Sequence, residues 1–263
     1  MTIPEIVMNA PVGPDDAPLL VLGPSLGTST ILWETTVPLL HERFRIVTWD
    51  LPGHGESPPA TAAFTVGDIA DAVADAVRAL GAERILYAGV SLGGAVGLEL
   101  ALRHPDLVTA AAIVASGAQL GEADGWHERA AQVRAQSTSS LIVGSAERWF
   151  APGSIEREPD LSGRLLHALQ NTDDEGYARC CEALAAYDVR DRLGEIRMPI
   201  RAVWGRLDTV APEAKAVEIA EGVVNGSVAV VEDAAHLPPA EQPVATASAL
   251  RDFFTTLPEG HRR

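Results

Sequence analysis

Lysine is almost missing from this chain of 263 residues: Lys215 is the only one, and 20 basic residues face 36 acidic ones for a formal net charge of −16. So acidic a chain has no basic stripe with which to neutralise phosphates and release counterions, which excludes a nucleic acid as partner. The same field repels anions at long range, so a substrate with a carboxylate needs a local arginine to hold it. Cysteine is equally scarce. The two present, Cys180 and Cys181, are neighbours that give neither a disulfide framework nor metal-ligand spacing, and are expected as small buried hydrophobes. No apolar run approaches the ~20 residues that span a bilayer, and residues 1–16 lack the basic start and apolar stretch of a secretion signal. A cytoplasmic protein without membrane association is therefore expected. His41, His127, His167 and His261 have no partners at metal-ligand spacing, and no metal is expected.

The composition that is present, 47% hydrophobic with 23 Gly and 18 Pro, is that of a globular protein rich in turns. The length suits one large α/β domain, or a core with an insertion. Short apolar runs at 18–23, 44–49, 84–89, 107–116, 199–204 and 227–231 read as buried parallel strands. Helical patterns stand between them: 66–80 spaces Ile69, Val73, Ala76, Val77 and Leu80 along one face, and 92–103 stops before Pro105. Further helices are expected at 212–221 and 243–254. This rhythm predicts a mostly parallel sheet flanked by helices. From 119 to 190 the rhythm breaks into charged helical segments such as 126–136 and 176–187. Residues 119–190 are accordingly expected as an inserted helical cap, and 1–118 with 191–263 as the core.

The sharpest local signal is Gly89-Val90-Ser91-Leu92-Gly93, a G-x-S-x-G pattern between an apolar strand and a helix. Serine there sits on a strained strand-to-helix turn that only small neighbours tolerate, with its hydroxyl aimed at the positive end of the helix. A serine hydroxyl is a poor nucleophile and needs a base, and the base needs a carboxylate to fix its tautomer. The order nucleophile, acid, histidine is met by Ser91, by Asp208 after the strand at 199–204, and by His236 after the strand at 227–231. These three are the expected catalytic residues. The N–H groups of Leu92 and of Leu26, in the loop Gly23-Pro24-Ser25-Leu26-Gly27-Thr28, are the expected oxyanion donors. His54, in the turn Asp50 to Ser57, is expected to be structural, as is His104 at a helix end.

Taken together, the 22–27 loop, the 50–57 turn, the serine elbow, Asp208 and His236 resemble the α/β-hydrolase superfamily over essentially the whole chain. Within it, Pro24-Ser25-Leu26-Gly27-Thr28 followed by Trp33 is similar to the loop of 3-oxoadipate enol-lactonases. So are Trp126 with Arg129, Val133 with Arg134, Glu147-Arg148-Trp149-Phe150, Tyr177 and Cys180-Cys181, although Pro24 stands where many relatives carry a polar residue. The resemblance implies hydrolysis of an enol-lactone to 3-oxoadipate, late in the β-ketoadipate route of aromatic degradation, with no cofactor. That substrate's carboxylate arm makes Arg134 and Arg148 the expected anion holders, and Trp126 and Trp149 the apolar wall beside them. In some relatives a decarboxylase is fused to the lactonase, so a decarboxylase module or a homo-oligomer is an expected partner beside the small lactone or ester. A general carboxylesterase, a carbon–carbon bond hydrolase and a ligand-sensing receptor on the same scaffold are the alternatives.

Overall fold

The computed structural model describes residues 3–257, and His261 lies outside them. The apolar runs form six strands, β1 (Leu19–Gly23), β2 (Arg45–Thr48), β3 (Ile85–Val90), β4 (Val108–Val114), β5 (Ile200–Gly205) and β6 (Gly226–Val231). They make one sheet in the order β2-β1-β3-β4-β5-β6, with every neighbouring pair parallel. Every residue of β3 and β4 is buried, as an unbroken apolar run must be when helices cover both faces. At the edge strand β6 burial weakens, and Val228 and Val230 reach solvent.

Helix α1 (Val66–Ala79) starts at a capping box, in which Thr65 and Asp68 satisfy each other's backbone N–H groups. Helix α2 (Leu92–Arg103) packs on α1 and on β3 and β4. Between β4 and β5 the chain forms α3 (Ala123–Gln136), α4 (Ile142–Trp149), α5 (Ser154–Arg157), α6 (Pro159–Asn171) and α7 (Asp174–Ala185). The segments 126–136 and 176–187, named from the sequence as examples, fall on α3 and α7; α4 and α5 are too short to show a periodicity, and the 13-residue α6 is not singled out. The entry and exit of this segment are tied together by an antiparallel bridge between Gln119 and Asp188 and by the Val189 N–H donating to the Ala118 carbonyl at 2.9 Å. Cys180 and Cys181 are both fully buried on α7. The chain ends in α8 (Glu213–Gly222), α9 (Pro238–Glu241) and α10 (Pro243–Thr255). Helix α8 starts one residue later than expected, because Pro212 takes an extended conformation at its N-cap. Among the described residues no helix is long and apolar enough to cross a membrane.

This topology decides where a site can form. The chain runs from β1 outward to β2, then returns to the other side of β1 to lay down β3. At that switch point the connections leave in opposite directions and open a crevice beyond the C-terminal strand ends. Residues 24–28 and Ser91 follow the two strands that flank it.

Candidate active site

Ser91 links β3 to α2 with φ 55° and ψ −115°, a left-handed backbone that costs a non-glycine residue about 1–3 kcal/mol. The surroundings hold it there. The Ser91 N–H donates to the Val114 carbonyl at 2.9 Å, and the Ser116 hydroxyl donates to the Ser91 carbonyl at 2.7 Å. The pattern's glycines are sterically required: a Cβ on Gly89 would stand 2.2 Å from the Gly93 carbonyl oxygen, and one on Gly93 2.5 Å from the Pro24 carbonyl oxygen. The Gly93 N–H donates to that Pro24 oxygen at 3.0 Å, so the elbow and the loop after β1 are fastened to each other.

Asp208 and His236 lie in the loops after β5 and β6. One oxygen of the buried Asp208 carboxylate accepts the N–H groups of Val210 (2.7 Å) and Ala211 (3.0 Å), and the other meets His236 Nδ1 at 2.9 Å. Burial raises the pKa of this carboxyl, but the neighbouring His236 and the two backbone donors outweigh it and hold it below the ordinary carboxylate range. An ionised carboxylate only accepts, so it assigns the imidazole proton to Nδ1 and leaves Nε2 free to take one.

The loop after β1 turns tightly at 25–28: the Thr28 N–H and hydroxyl both donate to the Ser25 carbonyl, at 3.0 and 2.8 Å. Gly27 takes φ 79° against Leu169, Tyr177 and Trp149, where a Cβ would lie within 2.7 Å of Leu169. Its N–H donates to Nε2 of His54 at 3.0 Å, while Nδ1 of His54 pairs with the Pro52 carbonyl at 3.0 Å. His54 must therefore be neutral with its proton on Nδ1, and it stacks on Tyr177 with ring centroids 6.1 Å apart. Among the described residues, neither the Leu26 nor the Leu92 N–H has a protein acceptor. Two unpaired donors on adjoining turns are what a developing oxyanion needs.

Burial pushes the His54 pKa down to about 4. The unfolded chain carries this proton below ~6.5 while the folded one does not, so stability falls as the pH drops from ~6.5 towards 4. Denaturant titrations of wild type and His54→Gln at pH 7.5 and pH 5 should show the wild type losing roughly 2 kcal/mol more between the two, since glutamine keeps an acceptor but cannot titrate.

Ser91, His236, Leu26, Trp126, Arg148 and Trp149 all line one cavity of about 310 Å³. Arg134 does not. It is a correction to the sequence reading: Arg134 is exposed and spends its guanidinium on Glu175 (2.7 Å) and Glu182 (2.5 Å) of α7. Arg129 lines the cavity instead, stacked 5.0 Å over the Trp126 ring. The two arginines stand five positions apart, about 140° around a helix. Trp126 and Arg129, at i and i+3, mark the cavity face in the sequence. Ser25, Tyr177 and Glu122 line the cavity as well and were not singled out as pocket residues by sequence reasoning. Arg148 is half-buried, and burial together with the like charge of Arg129 pushes its pKa down. Neither Arg129 nor Arg148 is in an ion pair among the described residues.

Known proteins agree with this architecture. Residues 18–243 match the family model of the alpha/beta hydrolase fold. The chain is 32% identical over 246 residues to 3-oxoadipate enol-lactonase 2 of Acinetobacter baylyi, covering 93% of this chain and 92% of the relative. It is also 32% identical over 240 residues to a pimeloyl-(acyl-carrier protein) methyl ester esterase of Aeromonas hydrophila, covering 86% and 89%. The crystal structure of the enol-lactonase from Burkholderia xenovorans superposes with a TM-score of 0.90 at 31% identity, covering 95% of this chain and 96% of that one. The chain belongs to the α/β-hydrolase fold family and, within it, resembles the 3-oxoadipate enol-lactonases.

Proposed function

We propose that the protein is a serine hydrolase that opens 3-oxoadipate enol-lactone to 3-oxoadipate, with Ser91 as nucleophile, His236 as base and Asp208 as its orienter. Residues 119–190 act as a cap that closes the site and supplies its anion-binding wall. In this reading Ser91 attacks the lactone carbonyl while its proton passes to Nε2 of His236. The oxyanion is held by the Leu26 and Leu92 N–H groups. The C–O bond to the ring oxygen breaks as His236 hands its proton to the departing enol oxygen, and the enol tautomerises to the ketone. The neutral His236 then deprotonates a water that attacks the acyl-enzyme, and the bond to Ser91 Oγ breaks as His236 returns the proton to it, which releases the acid.

The observation that carries the choice of substrate is the pair Arg129 and Arg148, facing the same cavity as Ser91 without a carboxylate partner, in a chain of net charge −16. Two like charges close enough to perturb each other are relieved by an anion between them, and guanidinium forks fit a carboxylate. The rim does carry Glu122, so the arginines must outweigh one acidic neighbour. Relatives that cleave lactones and methyl esters with similar folds support hydrolysis; the paired arginines favour the member with a free carboxylate.

The test compares the enol-lactone with its side-chain methyl ester. Arg148→Ala and Arg129→Ala should each lower kcat/KM for the anionic lactone about 10- to 100-fold, as expected for a lost charged hydrogen bond of ~1.5–3 kcal/mol. Both should leave the methyl ester within about threefold of wild type. Equal losses on both substrates would remove the arginines from substrate binding.

A further inference from the structure

The loop that carries His236 has no sheet ladder to hold it. It follows the edge strand β6, turns through Asp233 at φ 57°, and runs into Pro238 and Pro239, which have no N–H to donate. The N–H groups of Ala235, His236 and Leu237 nevertheless all find acceptors. Those of Ala235 and Leu237, on either side of His236, donate to Oε1 of Glu241 at 2.8 and 3.2 Å. That of His236 donates to the Trp149 carbonyl at 3.2 Å. The other oxygen of Glu241, Oε2, accepts the Ala151 N–H at 2.6 Å and the Ser154 hydroxyl at 2.9 Å. Arg157 donates to Ser154 Oγ at 2.8 Å, which directs the hydroxyl's own proton towards Glu241. A single carboxylate, 7% exposed, is thus saturated by donors from two places far apart in sequence. One is the loop of the base; the other is the chain that follows Arg148 and Trp149.

We propose that Glu241 is a positioning residue whose buried carboxylate staples the His236 loop to the segment 149–154, so that the base and the Arg148–Trp149 wall keep one register over Ser91. The proposal rests on the assignment of Ser91 and His236 made above. Glutamine cannot replace this carboxylate. Every group facing the two oxygens is a donor, so an amide NH2 would confront either the loop pair or the cap pair and release that side.

The experiment measures kcat and KM for p-nitrophenyl acetate, a neutral ester, per active site counted by burst titration, with thermal unfolding measured alongside. Glu241→Gln should lower kcat about 10- to 100-fold, the range a misplaced base produces. Its KM should stay within about threefold of wild type, in protein still folded at the assay temperature. Ser154→Ala, which cuts one bond on the cap side and leaves the loop pair intact, should lower kcat about threefold or more at unchanged KM. A folded Glu241→Gln protein with wild-type kcat overturns the proposal; if that variant does not fold, Ser154→Ala decides, and wild-type kcat in it overturns the proposal equally. His236→Ala, run in parallel, separates the two readings. If it keeps wild-type activity, the catalytic assignment fails; if it is inactive while Glu241→Gln and Ser154→Ala are normal, only the staple fails.

Discussion

Ser91→Ala is expected to lower kcat by about a million-fold, the loss found when a serine nucleophile is removed from a triad of this kind. Covalent catalysis then disappears, and only binding and the oxyanion donors remain, worth on the order of 10³- to 10⁴-fold over water. The variant should not be less stable. Alanine places its Cβ where the serine Cβ stood at φ 55°, so the backbone strain is unchanged, and the lost hydroxyl makes no hydrogen bond that holds the turn: the bonds at this elbow run through the Ser91 N–H and carbonyl. Thermal unfolding of both proteins beside their ester hydrolysis rates checks this. A large loss of activity with an unshifted transition locates the effect in the chemistry.

Asp208→Asn is the second large effect, about 10⁴-fold in kcat, or about 5.5 kcal/mol of transition-state stabilisation. Its origin is a tautomer. The Val210 and Ala211 N–H groups both point at Oδ1, so the asparagine amide must turn its carbonyl oxygen towards them and its NH2 towards His236 Nδ1. That makes Nδ1 an acceptor and moves the imidazole proton to Nε2, where the serine proton has to go. Steady-state kinetics should therefore show kcat falling with KM nearly unchanged. A drop in KM-related binding with kcat intact would mean that Asp208 shapes the pocket rather than the base.

The elbow, the acid and the histidine are legible in the sequence because each is announced by local chemistry. An apolar run that must be a buried strand ends, and a residue type with a specific reactivity follows it. The Gly89 and Gly93 contacts with backbone explain why the glycines accompany Ser91. Leu26 is legible for a similar reason, as the residue before a glycine that needs φ 79°. The arginines that face the cavity are less so. Both Arg129 and Arg134 lie on a helix that the sequence finds, though it starts three residues earlier than expected, and its rotation is the one that buries Ala130 and Val133 in a helix packed against α7. That rotation leaves Arg134 facing Glu175 and Glu182, partners 41 and 48 residues away, and turns Arg129 into the cavity. His54 reads as a structural turn residue, which it is, yet its bond to Gly27 spans 27 residues and ties the turn to the loop after β1. Glu241 gives no signal at all, because what it does depends on the Ala151 N–H brought to it from 90 residues away.

The most direct test of the account is steady-state hydrolysis of 3-oxoadipate enol-lactone, followed by loss of its ultraviolet absorbance, for wild type and Ser91→Ala side by side with p-nitrophenyl acetate as a control ester. The account predicts turnover of the lactone with kcat/KM well above that for the control ester, and loss of both activities in the variant. Hydrolysis of the control ester with the lactone untouched would contradict the lactonase reading, and lactone turnover that survives in Ser91→Ala would contradict the nucleophile.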